Sequence, residues 1–276
     1  MRSYHHPDNK SWSRKKLFKR VTLFFILTII FSALIAGMWF LIKGDFIKVT
    51  EIKVSGTRMV SPEEIVFFVN SEDGKRGGLW GFILPDDHQL AYKKDEDLTN
   101  SIKTRFPRVK DIIIDRDYSE RFISIAVSER TEKTIWCFIS DEEEQKDCFW
   151  LDNEGFVIGE APYSEGSLVT TIEDETNRKI LPGEKAVPEK ELGHLLEVAD
   201  MIKEFNWVAD EISVSDPNFK EAVVIISSGQ KIIVSLERSS VSEGRAIINA
   251  IISSGCWPRI EYVDLRVEGK GFYKTK

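Results

Sequence analysis

An uncharged stretch of 22 residues near the N-terminus, residues 21–42, most constrains what this chain can form. Its sequence is VTLFFILTIIFSALIAGMWFLI, and fourteen of its residues are Val, Leu, Ile or Phe. A helix of that length spans about 33 Å, which matches the roughly 30 Å hydrocarbon core of a bilayer. Each of these apolar residues favours insertion by about 0.3–0.6 kcal/mol, and no charged residue opposes it. The sequence therefore predicts a transmembrane helix over residues 21–42.

A cleaved signal peptide is the competing interpretation of the same stretch. Its apolar region would be about 7–15 residues long and would be followed by small residues at a cleavage site. The run in this chain is longer, and Met38, Trp39 and Phe40 follow Gly37 where small residues would be needed. We therefore expect an uncleaved anchor, and a buried helix of a soluble protein is the remaining alternative.

The charges on the two sides of this stretch predict its orientation. Residues 1–20 carry a net charge of +6, whereas residues 21–276 carry a net charge of −13. Because Lys and Arg close to a span stay in the cytoplasm, residues 1–20 are expected to be a basic cytoplasmic tail. The protein would then cross the cytoplasmic (inner) membrane once, with most of the chain outside. The tail can contact anionic lipid headgroups, whereas the acidic outer part argues against binding to nucleic acid.

Residues 46–130 have the pattern of one compact α+β module. Ser61, Pro62 and Glu64 have the types and spacing of an N-cap, a first helical residue and a capping-box partner. The predicted elements are, in order, a strand that ends at Gly56, a helix from Ser61, a helix over about 95–105, and strands within VKDIIID and RFISIAVSER. This order predicts two helices on one face of a three-stranded sheet.

Residues 131–276 predict a second α+β domain, mostly antiparallel, with two helices. Short strands dominate, and the turn of one hairpin is predicted at Ser228-Gly229. The first helix is expected from near Pro188, with an apolar face of Leu192, Leu195, Ala199 and Ile202. The second helix is expected from Ser240, with Glu243 as its capping-box partner and Gly255 after its end.

The chemistry-bearing residues of the outer part give little sign of catalysis. Sequence motifs of the forms G-x-S-x-G, G-x-x-x-x-G-K-[ST] and H-E-x-x-H are absent. The cysteines Cys137, Cys148 and Cys256 do not have the spacing of metal ligands. Cys137 and Cys148 flank a polar run in a predicted hairpin, and the sequence leaves open whether they form a disulfide. We expect no enzyme activity, no cofactor, no metal and no small-molecule substrate.

The order of motifs along the whole chain resembles the FtsQ/DivIB family of bacterial cell-division proteins. A basic tail and a single span are followed by VTEIKVSGTRMVSPEEI, FPRVKDIIIDRDYSERFISIAVSER, FWLDNEGFVI and YVDLR. The residues that match the family's pattern are Pro107, Val109, Arg116, Glu129, Arg130, Trp136, Asp152, Gly155 and the segment 262–266. The chain departs from the pattern at Ser119, Glu132 and Val267, and in the length of its acidic run SDEEEQKD.

The resemblance implies a POTRA domain over residues 46–130 and the family's C-terminal β domain over residues 131–276. It implies a non-enzymatic scaffold that links early and late division proteins at the septum. The expected partners are FtsB-like and FtsL-like proteins, bound outside the membrane. The alternative is another membrane scaffold with a single span and a POTRA domain, of the kind used in envelope assembly or sporulation.

The partner-binding site is expected at the end of the chain. The resemblance implies a partner site at Arg266 and the residues just after it. In addition, a terminal strand at a sheet edge can accept a strand from a partner. The predicted partner-binding residues are Arg266, Val267, Glu268, Gly269, Lys270, Gly271, Phe272 and Tyr273. The alternative for the two aromatic rings is packing in the core. The strand around Val49–Val54 is a second, weaker candidate for docking.

Overall fold

The computed structural model shows a mixed α+β protein with one apolar N-terminal helix and large β-sheets. It describes residues 10–43, 49–71, 94–140, 143–164, 169–176, 178–215, 220–237 and 240–276. The helices are α1 (Lys10–Lys43), α2 (Pro62–Asn70), α3 (Asp95–Arg105), α4 (Glu189–Glu204) and α5 (Val241–Ser253). The first six strands are β1 (Glu51–Ser55), β2 (Val109–Asp117), β3 (Phe122–Glu129), β4 (Thr134–Ser140), β5 (Glu143–Leu151) and β6 (Val157–Glu160). The other six are β7 (Thr171–Asp174), β8 (Ala209–Val214), β9 (Glu221–Ile226), β10 (Lys231–Ser235), β11 (Ile260–Val267) and β12 (Lys270–Thr275).

Residue contacts divide the chain into two compact units whose segments alternate along the sequence. One unit contains Met1–Val54, Val66–Leu98 and Ile113–Ile125, and the other contains Ser55–Ile65, Thr99–Ile112 and Ala126–Lys276. The domain borders inferred from the sequence stay predictions. Between the two helices predicted for the first module, the glycines and Pro85 of residues 70–94 predict a loop. This prediction falls largely on residues 72–93, which lie outside the described residues.

Helix α1 is long and apolar enough to cross a membrane. Its part Phe18–Phe40 has 23 residues with a mean hydropathy of 2.5, and none of it is buried in the structure. The helix begins before the predicted residues 21–42 and continues through the basic residues at the N-terminal side, because Lys and Arg are good helix formers. This helix is consistent with the predicted membrane anchor.

The first five described elements after α1 follow the predicted order β1, α2, α3, β2, β3. The three strands form one sheet in the order β1-β3-β2. At the start of α2 the Ser61 hydroxyl accepts a hydrogen bond from the Glu64 N–H at 3.4 Å, so Ser61 is the N-cap. Each helix contributes fully buried apolar residues, and β3 contributes buried residues at alternate positions. These residues are Ile65, Val69, Leu98, Ile102, Ile123, Ile125 and Val127.

The remaining strands form a nine-stranded sheet in the order β12-β11-β10-β9-β8-β7-β4-β5-β6. Five of its neighbouring pairs are antiparallel. The other three, β4–β7, β7–β8 and β10–β11, are parallel. The sheet is therefore mostly antiparallel, as predicted, but the sequence did not indicate its parallel pairs.

Two of the parallel pairs explain where the helices lie. The segments β7-α4-β8 and β10-α5-β11 are each a strand, a helix and a parallel neighbouring strand. Such crossovers are almost always right-handed, which places helices on a fixed side of the sheet. Both helices bury their apolar faces in the same core as one face of the sheet. The buried helix residues include all four predicted for α4, and they are Leu192, Leu195, Val198, Ala199, Met201, Ile202, Ile248 and Ile251.

The opposite face of the sheet carries a disulfide bond. Cys137 on β4 lies directly opposite Cys148 on β5, and the two form a disulfide with a Cα–Cα distance of 4.0 Å. Both cysteines are buried in a small cluster with Ile135. The pairing that the sequence left open is therefore formed, and Cys256 is a free cysteine.

Two adjacent residues at the end of β3 hold two different turns. Burial opposes ionisation of Glu129, but its carboxylate accepts the backbone N–H groups of Arg58, Met59 and Val60 at 2.8–3.0 Å. These donors lower the pKa of Glu129 overall. Three successive N–H groups around one carboxylate fix the backbone that leads into α2.

The next residue, Arg130, holds the turn between β5 and β6. Its guanidinium forms ion pairs with Asp152 and Glu154 and lies 4.0 Å from the centre of the Phe156 ring. Asp152 is buried, and its carboxylate also accepts the N–H groups of Glu154 and Phe156 at 2.9 Å each. The Glu-Arg pair is thus structural.

Replacing each of two glycines by alanine should separate the cost of a positive φ angle from the cost of a steric clash, both measured as lost free energy of unfolding. Gly155 and Gly229 both have positive φ angles, +84° and +87°. A Cβ at Gly155 would lie 2.0 Å from the Val187 carbonyl oxygen, whereas a Cβ at Gly229 would meet nothing within 4 Å. Gly229→Ala should lower the free energy of unfolding by about 1 kcal/mol. Gly155→Ala should lower it by at least about 3 kcal/mol, because the turn must also move.

Thermal unfolding of the full chain in detergent, followed by tryptophan fluorescence, measures both changes. If the two variants lost equal stability, the turn around Gly155 would not be as tightly packed as described.

Candidate protein-binding edge

The predicted partner-binding residues form the end of β11, a tight turn and most of β12. Strand β12 is the last strand of the nine-stranded sheet and pairs with β11 in antiparallel register. Glu268 and Gly269 make the turn, and Gly269 has a φ angle of +68°, which suits glycine. No strand among the described residues pairs with the outer side of β12. Its outward N–H and C=O groups are therefore available to a strand from another chain.

The two aromatic residues of β12 are on the surface. Phe272 is 55% exposed and Tyr273 is 52% exposed, so the alternative that both rings pack in the core is wrong. Tyr273 lies opposite Val263, whose side chain faces the helices, and Phe272 lies opposite Asp264. Because side chains alternate along a strand, the rings project to opposite faces of the sheet. A partner strand would contact an aromatic ring on each side.

Gly271 is the point at which β12 touches helix α5. A Cβ at this position would lie 2.5 Å from Cγ2 of Ile247 on α5 and 3.4 Å from Cδ2 of Leu265 on β11. Gly244 of α5 approaches the same Leu265, since a Cβ there would lie 3.0 Å from its Cδ1. Both glycines thus permit the helix and the terminal hairpin to pack closely.

The turn before β12 is bonded to the start of α5. The Glu243 carboxylate accepts a hydrogen bond from the Gly269 N–H at 2.8 Å. Ser240 is the N-cap residue of α5 but makes no side-chain capping bond, and its hydroxyl contacts that of Ser242 at 2.8 Å. The predicted capping box of Ser240 and Glu243 is therefore wrong. The glutamate instead binds a turn N–H that has no partner within its own hairpin.

Arg266 is held by carboxylates of its own chain. Its guanidinium donates to Asp264 through Nε at 2.9 Å and Nη2 at 2.6 Å, and to Glu221 on β9 through Nη1 at 2.8 Å. These hydrogen bonds lower the pKa of Asp264 and raise that of Arg266. Arg266 fixes the end of β11 against β9, and its contact with a partner stays a prediction.

The lysines of the terminal strand differ in their surroundings. Lys274 forms an ion pair with Glu261 at 2.8 Å, and this hydrogen bond raises the pKa of Lys274. Lys270 and Lys276 are exposed and form no ion pair with any residue that the structure describes. Lysines at a sheet edge hinder unspecific strand pairing and favour an acidic partner.

The second predicted docking surface, around Val49–Val54, is also at a sheet edge. Strand β1 is an edge strand of the three-stranded sheet, so its outward backbone groups have no neighbouring strand among the described residues. Residues 44–48, which precede it, lie outside the described residues.

Within the described ranges, no three His, Cys, Asp or Glu side chains are grouped to hold a metal ion.

Sequence reasoning missed Glu221, Glu243 and Ile247 as parts of this edge. Glu221 and Arg266 are 45 residues apart, and Glu243 and Gly269 are 26 residues apart. The only local signal was Gly271 beside two aromatic residues, since glycine inside a strand often marks a close approach.

Replacing Arg266 by alanine should weaken the fold at neutral pH but not at low pH. The lowered pKa of Asp264 means that its ion pair stabilises the fold fully above the unfolded pKa, about 4, and that this stabilisation is lost as pH falls from there through the lower pKa of the folded state. Arg266→Ala should therefore lower the free energy of unfolding by about 1 kcal/mol at pH 7. The difference from wild type should shrink between pH 4 and pH 3.

Lys274→Ala is the matched control, because its ion pair is more exposed and should contribute almost nothing. Thermal unfolding over a pH series measures the differences. A constant difference for Arg266→Ala at every pH would show that packing, and not the ion pair, accounts for its effect.

Comparisons of the whole chain with known proteins found no relative. No protein-family model matches the chain, and no curated protein matches it. The role of the edge is therefore argued from its unpaired backbone, its two exposed rings and its lysines.

Proposed function

We propose that this protein is a non-enzymatic cell-division scaffold of the FtsQ/DivIB type. It would bind FtsB-like and FtsL-like proteins outside the cytoplasmic membrane and link early to late division proteins at the septum. The observation that carries the proposal is the open edge strand β12 with Phe272 and Tyr273 exposed on its two sides. A scaffold needs such a surface for partner binding, and it needs no catalytic centre.

The positions of the family-like motifs support this proposal. The Glu-Arg motif at 129–130 fixes one turn on each side of β3, and the motif YVDLR lies in β11, beside the open edge. A POTRA domain would account for the order β1, α2, α3, β2, β3 and for the strand order β1-β3-β2. Each motif therefore has a structural reason to be present.

The chemistry of the edge indicates what a partner segment would look like. Backbone pairing requires an extended segment, and the exposed rings of Phe272 and Tyr273 favour apolar side chains at its centre. Lys270 and Lys276 favour acidic residues toward its ends. A short strand of mixed apolar and acidic residues would meet these requirements.

The proposed location follows from the apolar helix, the charges on its two sides and the disulfide. Helix α1 is apolar over Phe18–Phe40, residues 1–20 carry a net charge of +6, and residues 21–276 carry a net charge of −13. The Cys137–Cys148 disulfide fits an oxidising compartment. These features support a basic tail in the cytoplasm and the two sheets outside it.

A matched pair of double variants tests the proposed binding edge. The probe is the extracytoplasmic segment of the FtsB-like protein from the same genome, with the full chain in lipid nanodiscs. Wild type should bind, and Phe272→Ala/Tyr273→Ala should weaken binding at least about 30-fold, because each ring is an interface anchor. The control Phe67→Ala/Tyr118→Ala removes two other exposed rings, 78% and 52% exposed, and should change the affinity less than about twofold.

The outcomes separate the alternatives. Loss of binding in the control alone would move the docking surface to the region of α2 and the end of β2, where Phe67 and Tyr118 lie. Absence of binding by wild type would favour another single-span scaffold with a POTRA domain, used in envelope assembly or sporulation. Circular dichroism of each variant checks that the fold is intact.

A further inference from the structure

We propose that helix α5 holds the edge strand β12 in its binding-ready form before a partner arrives. The contacts that do this form the α5 clamp, which we define as Glu243 and Ile247 of α5 together with Gly271 of β12. Glu243 and Ile247 are positioning residues, since they act through the strand. This inference rests on the proposed function only where it concerns partner binding.

Strand β12 needs support beyond its pairing with β11. Among the described residues it pairs with one neighbour only, and an edge strand is held by fewer backbone hydrogen bonds than an inner strand. Its ladder with β11 is irregular at two places, between Ile260 and Tyr262 and between Asp264 and Val267. Irregularities of this kind interrupt the backbone hydrogen bonds of a ladder. A strand with a single, interrupted ladder would sample open states often.

The α5 clamp acts at the turn and in the middle of the strand. At the turn, the Glu243 carboxylate accepts the Gly269 N–H at 2.8 Å. In the middle, Gly271 leaves no room for a side chain beside Ile247, so the backbone lies directly against the helix. At the far end the Lys276 N–H donates to the Arg259 carbonyl at 2.8 Å, which anchors the terminus without α5. The strand is thus held on the face toward α5 and at both ends, while the edge that faces away from β11 stays open.

This arrangement has a direct effect on affinity. A partner strand can pair only with molecules in which β12 is already extended, so the apparent affinity falls with the fraction of such molecules. The α5 clamp keeps that fraction high and reduces the ordering that binding must bring about. Removing the clamp should therefore slow association, even though no clamp side chain needs to touch the partner.

Amide hydrogen exchange of the free full chain in nanodiscs tests the clamp itself. Glu243→Ala should speed exchange of the amides in residues 268–275 by about tenfold, because a hydrogen bond to a charged group is lost. Ile247→Ala should speed exchange most around Gly271. Glu243→Gln keeps an acceptor at the same distance and should change exchange by less than about threefold.

Ser240→Ala is the matched control at the same end of α5. It changes the N-cap residue but does not touch Gly269, so exchange in β12 should stay at the wild-type rate. The clamp is refuted if Glu243→Ala leaves the amides of β12 unchanged. It is also refuted if Ser240→Ala has the same effect, since the cause would then be the stability of the helix.

Binding kinetics test whether the clamp serves docking. With the FtsB-like segment as probe, Glu243→Ala should lower the association rate about fivefold to tenfold and leave the dissociation rate within about twofold. Faster exchange with unchanged association would overturn the positioning role. If wild type does not bind the probe, the proposed function fails, and the exchange experiment alone still decides whether the clamp exists.

Discussion

Burial of one face of a nine-stranded sheet under two helices is the constraint on which the second half of this protein depends. Both helices lie in connections between parallel strands, and such connections have a fixed hand, so both cover the same face. The sheet is wide, and α5 is the helix that reaches its margin. One face of the terminal hairpin therefore packs on α5, while the edge of β12 that faces away from β11 has no neighbouring strand among the described residues.

Most charged groups near the edge strand β12 are engaged within the chain. Arg266 is bound to Asp264 and Glu221, Lys274 to Glu261, and Glu243 to a backbone N–H. Charges neutralised in this way position the hairpin and offer little to a partner. Under the proposed function, recognition of a partner would depend on the backbone of β12, on its exposed rings and on Lys270 and Lys276. Such a surface would suit binding by strand pairing.

The features of the fold that could be predicted depend on residues close together in the sequence. The apolar spacing of α4 and the Ser228-Gly229 turn between β9 and β10 are confirmed, because both depend on residues close in sequence. The parallel pairing of Lys231 with Tyr262 could not be predicted, since it joins strands separated by a helix. The capping box at Glu243 failed for the same reason, because a turn distant in sequence competes for the carboxylate.

Alternation along β12 places Gly271 and Phe272 on opposite faces of the sheet. Gly271 faces α5 and admits no side chain, whereas Lys270 and Phe272 on the other face are exposed. Substitutions at Lys270 and Phe272 would leave the core undisturbed. If β12 is the binding edge as proposed, its partner specificity can diverge or be redesigned through these residues, while Gly271, which fixes the packing on α5, must be kept.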